Sequence, residues 1–214
     1  MNIKRHKHYG LMNAIYVERI IDTVDNALNQ YPRTLAIRID LRFPDEEDRQ
    51  DCPTQCYSGP DVISRFITSM KAQIRADIYR KRKTGKKSLN CKMRYIWVRE
   101  YNQEGNKRHY HVLLLLNKDA YHRPGYLTLD DNYDRCTLFR MIIRAWLRAI
   151  KRDYAEKKYH GLVHIPYRAY YLLNSKKPYF RQDLQELTER ALYLAKERSK
   201  DKSDGYRSFG CSQG

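Results

Sequence analysis

The sequence predicts one α+β domain, in which helices flank one face of a central antiparallel sheet. Two strand-like segments, 91–101 and 108–117, are separated by a polar turn and indicate a β-hairpin in the middle of the chain. Segments with apolar residues at helical spacing precede and follow this hairpin. Because 214 residues suit one domain and neither a repeat nor a low-complexity linker interrupts them, we expect a single domain over 1–214 with its core at about 34–198.

The remaining elements follow from two spacing patterns. A period near 3.6 predicts helices over 11–30, 62–83, 133–154 and 182–199. Strict alternation predicts a strand over 34–43, and shorter apolar segments predict strands over 161–166 and 169–173. We expect the basic start, 1–10, to be frayed and the polar tail after 199 to be loose.

The charge of the chain points to a polyanionic partner. The formal net charge is +17 and the sequence pI is about 9.7. Lysine and arginine that neutralise phosphates release condensed counterions, which makes nucleic acid the expected partner. The chain also has 19 tyrosines, which offer both a stacking face and a hydroxyl. No apolar run reaches the length of a membrane span, so we expect no membrane partner.

The cysteines indicate a reducing compartment rather than a disulfide scaffold. There are five, an odd number without the spacing of a disulfide framework. Cys52 and Cys56 form a C-x3-C pair, but two further ligands for a zinc knuckle are missing nearby. We therefore expect reduced thiols and a cytoplasmic location.

The strand over 108–117 carries the first chemical signal. His109 and His111 lie two residues apart, and side chains alternate along a strand, so both imidazoles face the same side. A rigid apolar run, 112–116, follows them and would hold two nitrogen ligands for one ion. The same spacing at His6 and His8 falls in the basic start and is interpreted as incidental.

An acidic residue completes a candidate metal site. Glu100 ends the preceding strand, so a hairpin places it opposite the start of the histidine strand. Two nitrogens and a carboxylate leave coordination positions open for water and a phosphate oxygen. Asp40, on the polar face of the first strand, is a reserve ligand.

The last helix offers a nucleophile. Tyr193 and Lys196 are three residues apart and would share a helix face. A neighbouring ammonium, or a metal ion, favours the phenolate form that attacks phosphorus. A core tyrosine on an ordinary amphipathic helix is the alternative interpretation.

The combination of E-x8-H-x-H on a hairpin and a later Y-x-x-K resembles the HUH endonuclease superfamily. It is similar to the single-tyrosine rolling-circle initiators, in particular the inovirus gene-two-type (YagK/YfjJ-like) replication proteins. The hairpin 95–116, the segment 161–166 and 193–196 carry the resemblance, which extends over about 34–196. The chain departs from the family pattern at Tyr110, where a hydrophobic residue is expected, and along the highly charged first strand.

The resemblance implies an RRM-like antiparallel sheet and a specific reaction. Mg²⁺ or Mn²⁺ at His109, His111 and an acid would polarise the scissile phosphate. Tyr193 would attack, leaving a 5′-phosphotyrosine link and a free 3′-OH, and Lys196 would position or activate the phenol. The partner would be single-stranded DNA or an origin hairpin in a bacterial host cell. Because the sequence has no Walker P-loop, strand separation would need a separate helicase.

Several residues are candidates for contact with DNA. They are Arg38 and Arg42 on the first strand, Arg108, the basic run Arg80, Lys81, Arg82, Lys83, Lys86 and Lys87, and Tyr170 for base stacking. Tyr167, Tyr171 and Tyr179 join Tyr170 as possible stacking residues. His160 and His164 are interpreted as structural, and an approach of one of them to the site or to the DNA is the alternative. The sequence leaves three alternatives open: a single-strand-binding regulator without catalysis, a nuclease in which water attacks, and a transposase or relaxase. It does not indicate the oligomeric state.

Overall fold

The computed structural model describes residues 3–45, 56–102, 107–125, 137–197, 200 and 204–213. Its strands are β1 (Ile3–His6), β2 (Gly10–Asn13), β3 (Arg33–Arg42), β4 (Arg94–Tyr101), β5 (Arg108–Asn117), β6 (Val163–His164), β7 (Tyr170–Asn174) and β8 (Phe209–Cys211). Its α-helices are α1 (Ala14–Gln30), α2 (Val62–Lys83), α3 (Leu138–Ala149) and α4 (Phe180–Leu192), and 3-10 turns cover Lys157–Leu162 and Tyr193–Ala195. The α+β class is confirmed.

An antiparallel sheet forms the centre of the molecule. Its strand order is β6-β3-β5-β4-β8, and β7 pairs with the same edge of β3 as β6 does, nearer the start of β3. The long β3–β5 ladder pairs Thr34 with Asn117 at one end and Arg42 with His109 at the other. The predicted hairpin of β4 and β5 is therefore present, and β3 lies beside it as the third long strand.

Helices cover both faces of the sheet, so the prediction of helices on one face was wrong. Alternate residues of β3 and β5 pack with α2 and α3 in the larger core, where Trp146 is fully buried and donates from Nε1 to the Arg42 carbonyl at 2.7 Å. The intervening residues, such as Ala36 and Leu113, pack with α1 and α4 in a second core. The charged residues of β3 hid this second core, because Arg38 and Asp40 interrupt an otherwise apolar face.

Both ends of the chain are more ordered than predicted. The start forms the β1–β2 hairpin instead of a frayed segment. The tail adds β8 to the edge of β4, and Phe209 stacks on Tyr16 with ring centroids 4.3 Å apart. These strands have only three or four residues each, too few for alternation to reveal them.

Helix α4 ends earlier than the predicted 182–199. It stops at Leu192, a 3-10 turn follows over Tyr193–Ala195, and Lys196 is already extended at φ −59° and ψ 139°. The predicted pair of strands after α3 is present as β6 and β7. Of the C-x3-C pair, Cys56 is buried in the larger core, and Cys52 lies outside the described residues. In the described part of the chain, every helix is too short or too polar to cross a membrane.

Candidate functional site

Strands β4 and β5 bring the predicted ligands together. Glu100 is the direct cross-strand partner of His109, and Val98 is that of His111, so all three predicted side chains project from the same face. His109 Nε2 lies 3.3 Å from His111 Nε2, which lies 3.4 Å from Glu100 Oε2. One donor atom from each of the three residues lies within 4.8 Å of the others. Glu100 is almost fully buried.

Asp40 holds His111 from the other side of the ring. It is the β3 partner of His111, and its Oδ1 lies 2.5 Å from His111 Nδ1. Asp40 is outside the cluster of three donors and occupies the position of a residue that orients a ligand. A hydrogen bond at Nδ1 leaves Nε2 directed at Glu100 and His109.

Two further side chains contact Asp40. Arg38 Nη2 lies 3.1 Å from Oδ1, and His164 Nδ1 lies 3.3 Å from Oδ2. Burial raises the pKa of Asp40, but the hydrogen bond from His111 and the charge of Arg38 outweigh it and hold this pKa well below its usual range. Asp40 is therefore ionised and connects β3, β5 and β6 at one point.

The charges around Glu100 keep it ionised as well. Burial raises its pKa, but a hydrogen bond with His111 and the charges of His111, Lys196 and Lys200 lower it to about 2. Lys196 Nζ lies 3.1 Å from Glu100 Oε2, and Lys200 Nζ lies 3.6 Å from Oε1. The pKa of His109 is lowered by burial and then by the charge of His111, which favours the neutral imidazole that binds a metal.

Tyr193 lies on the same face of the sheet as the imidazoles. Its ring centroid is 5.7 Å from that of His111, in an edge-to-face arrangement. Lys196 Nζ donates a hydrogen bond to the Tyr193 hydroxyl. The two residues meet through the 3-10 turn, in which positions three apart eclipse, and not along a continued α-helix as predicted. The guanidinium carbon of Arg38 lies 5.5 Å from the Tyr193 ring centroid.

The residues present fit a divalent cation. Two imidazoles and one buried carboxylate supply the donors, and Asp40 acts behind one imidazole in the arrangement that orients metal-binding histidines elsewhere. The ammonium groups of Lys196 and Lys200 already offset the charge of Glu100, so a cation at this position would share that carboxylate with them. Borderline ligands of this kind accept several metals.

Two residues beside the site were not predicted to belong to it. Lys200 has a fully buried side chain against Glu100, and nothing in its local sequence signals this, because it lies in a segment that reads as polar tail. His164 was interpreted as structural, yet the pairing of β6 with β3 places it opposite Asp40. His160, in contrast, is buried against the Tyr154 carbonyl at 2.8 Å and has a structural contact, as predicted.

The predicted DNA contacts separate into two groups. Arg42 is exposed beside its strand partner His109, and Arg38 is buried against Asp40 and Tyr193, so both are at the site. Arg108 faces the larger core, where its guanidinium lies 4.9 Å from the Phe43 ring centroid. Tyr170 pairs with Ile37, a residue of the larger core, and so also lies on the face opposite the imidazoles.

The basic run at the C-terminal end of α2 and just beyond it is also remote from the site. It comprises Arg80, Lys81, Arg82, Lys83, Lys86 and Lys87. Helix α2 packs on the face opposite the imidazoles, and Arg82 donates at 2.6 Å to Asn90, whose carbonyl accepts from Asn117 at the far end of β5. A strand rises about 3.3 Å per residue, so six residues separate this end from His111 by roughly 20 Å. Arg80 and Lys81 also pair with Asp77 at 2.6 Å.

Fold and site together define an α+β protein with an antiparallel sheet, whose face carries a His-His-Glu cluster next to a tyrosine and a lysine. The chain belongs to the YagK/YfjJ C-terminal domain family, whose model matches residues 1–212. It is 40% identical over 209 residues to the "Uncharacterized protein YagK" of Escherichia coli (strain K12), a match covering 96% of this chain and 95% of YagK. It is 37% identical over 211 residues to the "Uncharacterized protein YfjJ" of the same strain, covering 96% and 97% of the two chains. No solved structure gives a significant match.

Proposed function

We propose that this protein is an HUH-type endonuclease that nicks and rejoins single-stranded DNA through a 5′-phosphotyrosine intermediate and thereby initiates rolling-circle replication. The observation that carries the proposal is the convergence of Tyr193, Lys196 and the cluster of Glu100, His109 and His111 on one face of the sheet. These residues come from β4, β5 and the turn after α4, which are far apart in the chain. A protein that only binds DNA has no need for this convergence.

Glu100, His109 and His111 would hold the divalent ion, Mg²⁺ or Mn²⁺ being the expected ones. A bound ion of this kind supplies Lewis acidity to a phosphate oxygen and a template for its orientation. Asp40 keeps the His111 ring in the tautomer that presents Nε2, and Lys200 stabilises ionised Glu100 from behind. The role of these residues is to fix the donors before DNA arrives.

Tyr193 is the proposed nucleophile. Its phenol oxygen forms a bond to phosphorus while the bond from phosphorus to the 3′ oxygen of the preceding nucleotide breaks. The proton lost by the phenol balances the one that the leaving 3′ oxygen takes up. Lys196, hydrogen-bonded to the phenol oxygen, stabilises negative charge there as the proton leaves. The new ester is chemically close to the one that breaks, so the 3′-OH can reverse the step.

The charge at the site suits a DNA phosphate. Arg42 is exposed next to His109, and Arg38 stands over the Tyr193 ring, so both guanidinium groups flank the proposed reacting atoms. Arginine binds phosphate through paired N–H donors. The remaining positive charge of the chain would bind the DNA backbone with the strong salt dependence of counterion release.

The wider setting is part of the proposal. The substrate would be a single strand or an origin hairpin, and a separate helicase would part the strands. The protein would act in the cytoplasm of a bacterial host. Transposition or conjugative transfer uses the same chemistry and would be separated from replication initiation by the DNA element that the protein nicks.

The test is a covalent-adduct assay. Wild-type protein and the variants Tyr193→Phe and Tyr9→Phe are incubated with a pool of labelled single strands from the surrounding replicon and Mn²⁺, then denatured. Tyr9 is a matched control, because its ring centroid lies 5.5 Å from that of Tyr193. We expect a denaturant-stable adduct with the wild type and Tyr9→Phe, none with Tyr193→Phe, and a linked peptide that contains residue 193.

The alternatives give different outcomes. Cleavage retained by Tyr193→Phe without an adduct would identify a hydrolytic nuclease. A binding regulator would be identified if all three proteins bind the strands reversibly and none gives cleavage or an adduct with any divalent metal ion. Either result contradicts the proposed function.

A further inference from the structure

The turn between β6 and β7 projects from the sheet edge beside the candidate site. It leaves β6 at His164, the partner of Asp40, and returns to the sheet where the Arg38 amide donates to the Ala169 carbonyl at 2.6 Å. The residues between, 165–168, therefore stand next to the part of β3 that contacts His111 and Tyr193. None of them has a role in the chemistry proposed above.

The tip of this turn presents an exposed aromatic ring and an exposed cation. Tyr167 is 83% exposed, the highest value among the large exposed hydrophobic side chains of the described residues. The guanidinium carbon of Arg168 lies 5.8 Å from the centroid of that ring. A ring this exposed buries little apolar surface within the fold and is accessible to a ligand.

The backbone of the turn is strained and held in place. Arg168 has φ 51°, in the left-handed region that non-glycine residues rarely adopt. Arg190 of α4 donates to the Tyr167 carbonyl at 2.8 Å, which fixes the turn against the helix that leads to Tyr193. Strain that the surrounding structure maintains tends to occur where a side chain must be aimed at a ligand.

The surroundings of the turn favour an anion. Arg190 lies close enough to Arg38 for the two positive charges to repel each other. Arg168 and Arg190 both lie near Tyr171, which faces the same side of the sheet as the imidazoles. Asp40 offsets Arg38, and Glu186 is an acidic group near Tyr171. Three arginines against two carboxylates leave a positive edge beside an exposed ring. Unpaired nucleotides bind to this combination, with the base stacked and the phosphate at a guanidinium.

We propose that the β6–β7 turn is a binding subsite for an unpaired nucleotide of single-stranded DNA that flanks the phosphate at Tyr193. In this subsite Tyr167 stacks on the base and Arg168, supported by Arg190, binds the phosphate. The placement of the nucleotide relative to the cut rests on the proposed function, whereas its binding does not. The structure thus selects Tyr167 among the tyrosines of this region, because Tyr170 lies on the other face of the sheet, the Tyr171 ring packs against the second core, and Tyr179 lies at the far end of β7.

Binding of a fluorescent 20-nucleotide oligothymidylate tests the subsite. All variants carry Tyr193→Phe, so a covalent adduct at that residue cannot contribute, and affinity is measured by anisotropy at one salt concentration. Tyr167→Ala is expected to weaken binding about tenfold, equivalent to about 1.4 kcal/mol, and Tyr167→Phe to retain it. Tyr179→Ala, which removes a ring that is 68% exposed and remote, is the matched control and should stay within about twofold of the parent.

A second variant tests the cation separately. Arg168→Gly removes the guanidinium and substitutes a residue that adopts this left-handed backbone conformation without strain. It should weaken binding and lower the slope of log affinity against log salt by about 0.7, the value for one phosphate contact with a single strand. Circular dichroism and melting temperature confirm the fold of each variant.

The outcomes separate the two proposals. If Tyr167→Ala binds as tightly as the parent, or if the parent does not bind the oligonucleotide, the subsite is overturned even when wild-type protein forms the adduct. If Tyr167→Ala and Arg168→Gly lose affinity while the wild type forms no adduct with any strand, the subsite stands and the nicking function fails.

Discussion

His111 is held between two carboxylates: its Nδ1 lies 2.5 Å from Asp40 Oδ1, and its Nε2 lies 3.4 Å from Glu100 Oε2. The two acids reach the ring from different strands, β3 and β4, because β5 is the strand between them. A hydrogen bond at one imidazole nitrogen fixes the orientation of the other, which is the common arrangement behind metal-binding histidines.

Asp40→Asn should weaken Mn²⁺ binding by about 10- to 100-fold, because the amide no longer favours the tautomer that presents His111 Nε2. Isothermal titration with Mn²⁺ measures this change. Asp119→Asn, which removes a partly buried carboxylate paired with Arg33, is the control and should bind as the wild type does. Equal affinities for Asp40→Asn and the control would show that Asp40 does not orient a ligand.

Mn²⁺ should raise the melting temperature of the wild type, since a ligand that binds only the folded state stabilises it. The gain is about 2.7 kcal/mol when the free ion is at 100 times its dissociation constant. His111→Ala should abolish the shift, and His164→Ala should retain most of it, because His164 contacts Asp40 but is outside the cluster of donors. Differential scanning fluorimetry with and without chelator makes the comparison; an undiminished shift in His111→Ala would argue against the site.

Metal-free protein should lose stability in acid partly through Glu100. Its pKa falls from 4.5 to about 2 on folding, so the folded state binds fewer protons than the unfolded state between these values. The stabilisation is complete above pH 4.5 and is lost as the pH falls towards 2, by an amount on the order of 3 kcal/mol. Urea unfolding measures the free energy of unfolding at pH 6 and at pH 3. The loss between the two pH values should be smaller for Glu100→Gln than for the wild type. The same difference in both proteins would contradict the lowered pKa.

Lys196→Gln should slow adduct formation by about 10- to 100-fold in single-turnover assays, because the phenol oxygen loses the ammonium that stabilises its negative charge. Lys196→Arg, which keeps a cation, should be less impaired. Lys177→Gln removes an exposed lysine in the turn after β7 and should leave the rate unchanged. If Lys196→Gln reacts at the wild-type rate, the lysine has no part in the chemistry.

The sequence by itself determined the long elements and the local pairs. Helix α2 and strand β5 have the predicted bounds, because they have enough residues for the period of their apolar side chains to be unambiguous. The shared face of His109 and His111, and the position of Glu100 opposite them, follow from strand alternation and one hairpin. Both are consequences of backbone geometry over neighbouring residues.

Only the tertiary structure decided what distant segments contribute. The pairing of β6 with β3 brings His164 to Asp40, and the fold of the polar tail buries Lys200 against Glu100. It also places Tyr170 on the face opposite the imidazoles and the basic run at the end of α2 at the far end of the sheet. Periodicity tells which face of its own element a residue is on, but which other element covers that face depends on contacts between residues far apart in the chain, and these leave no local pattern.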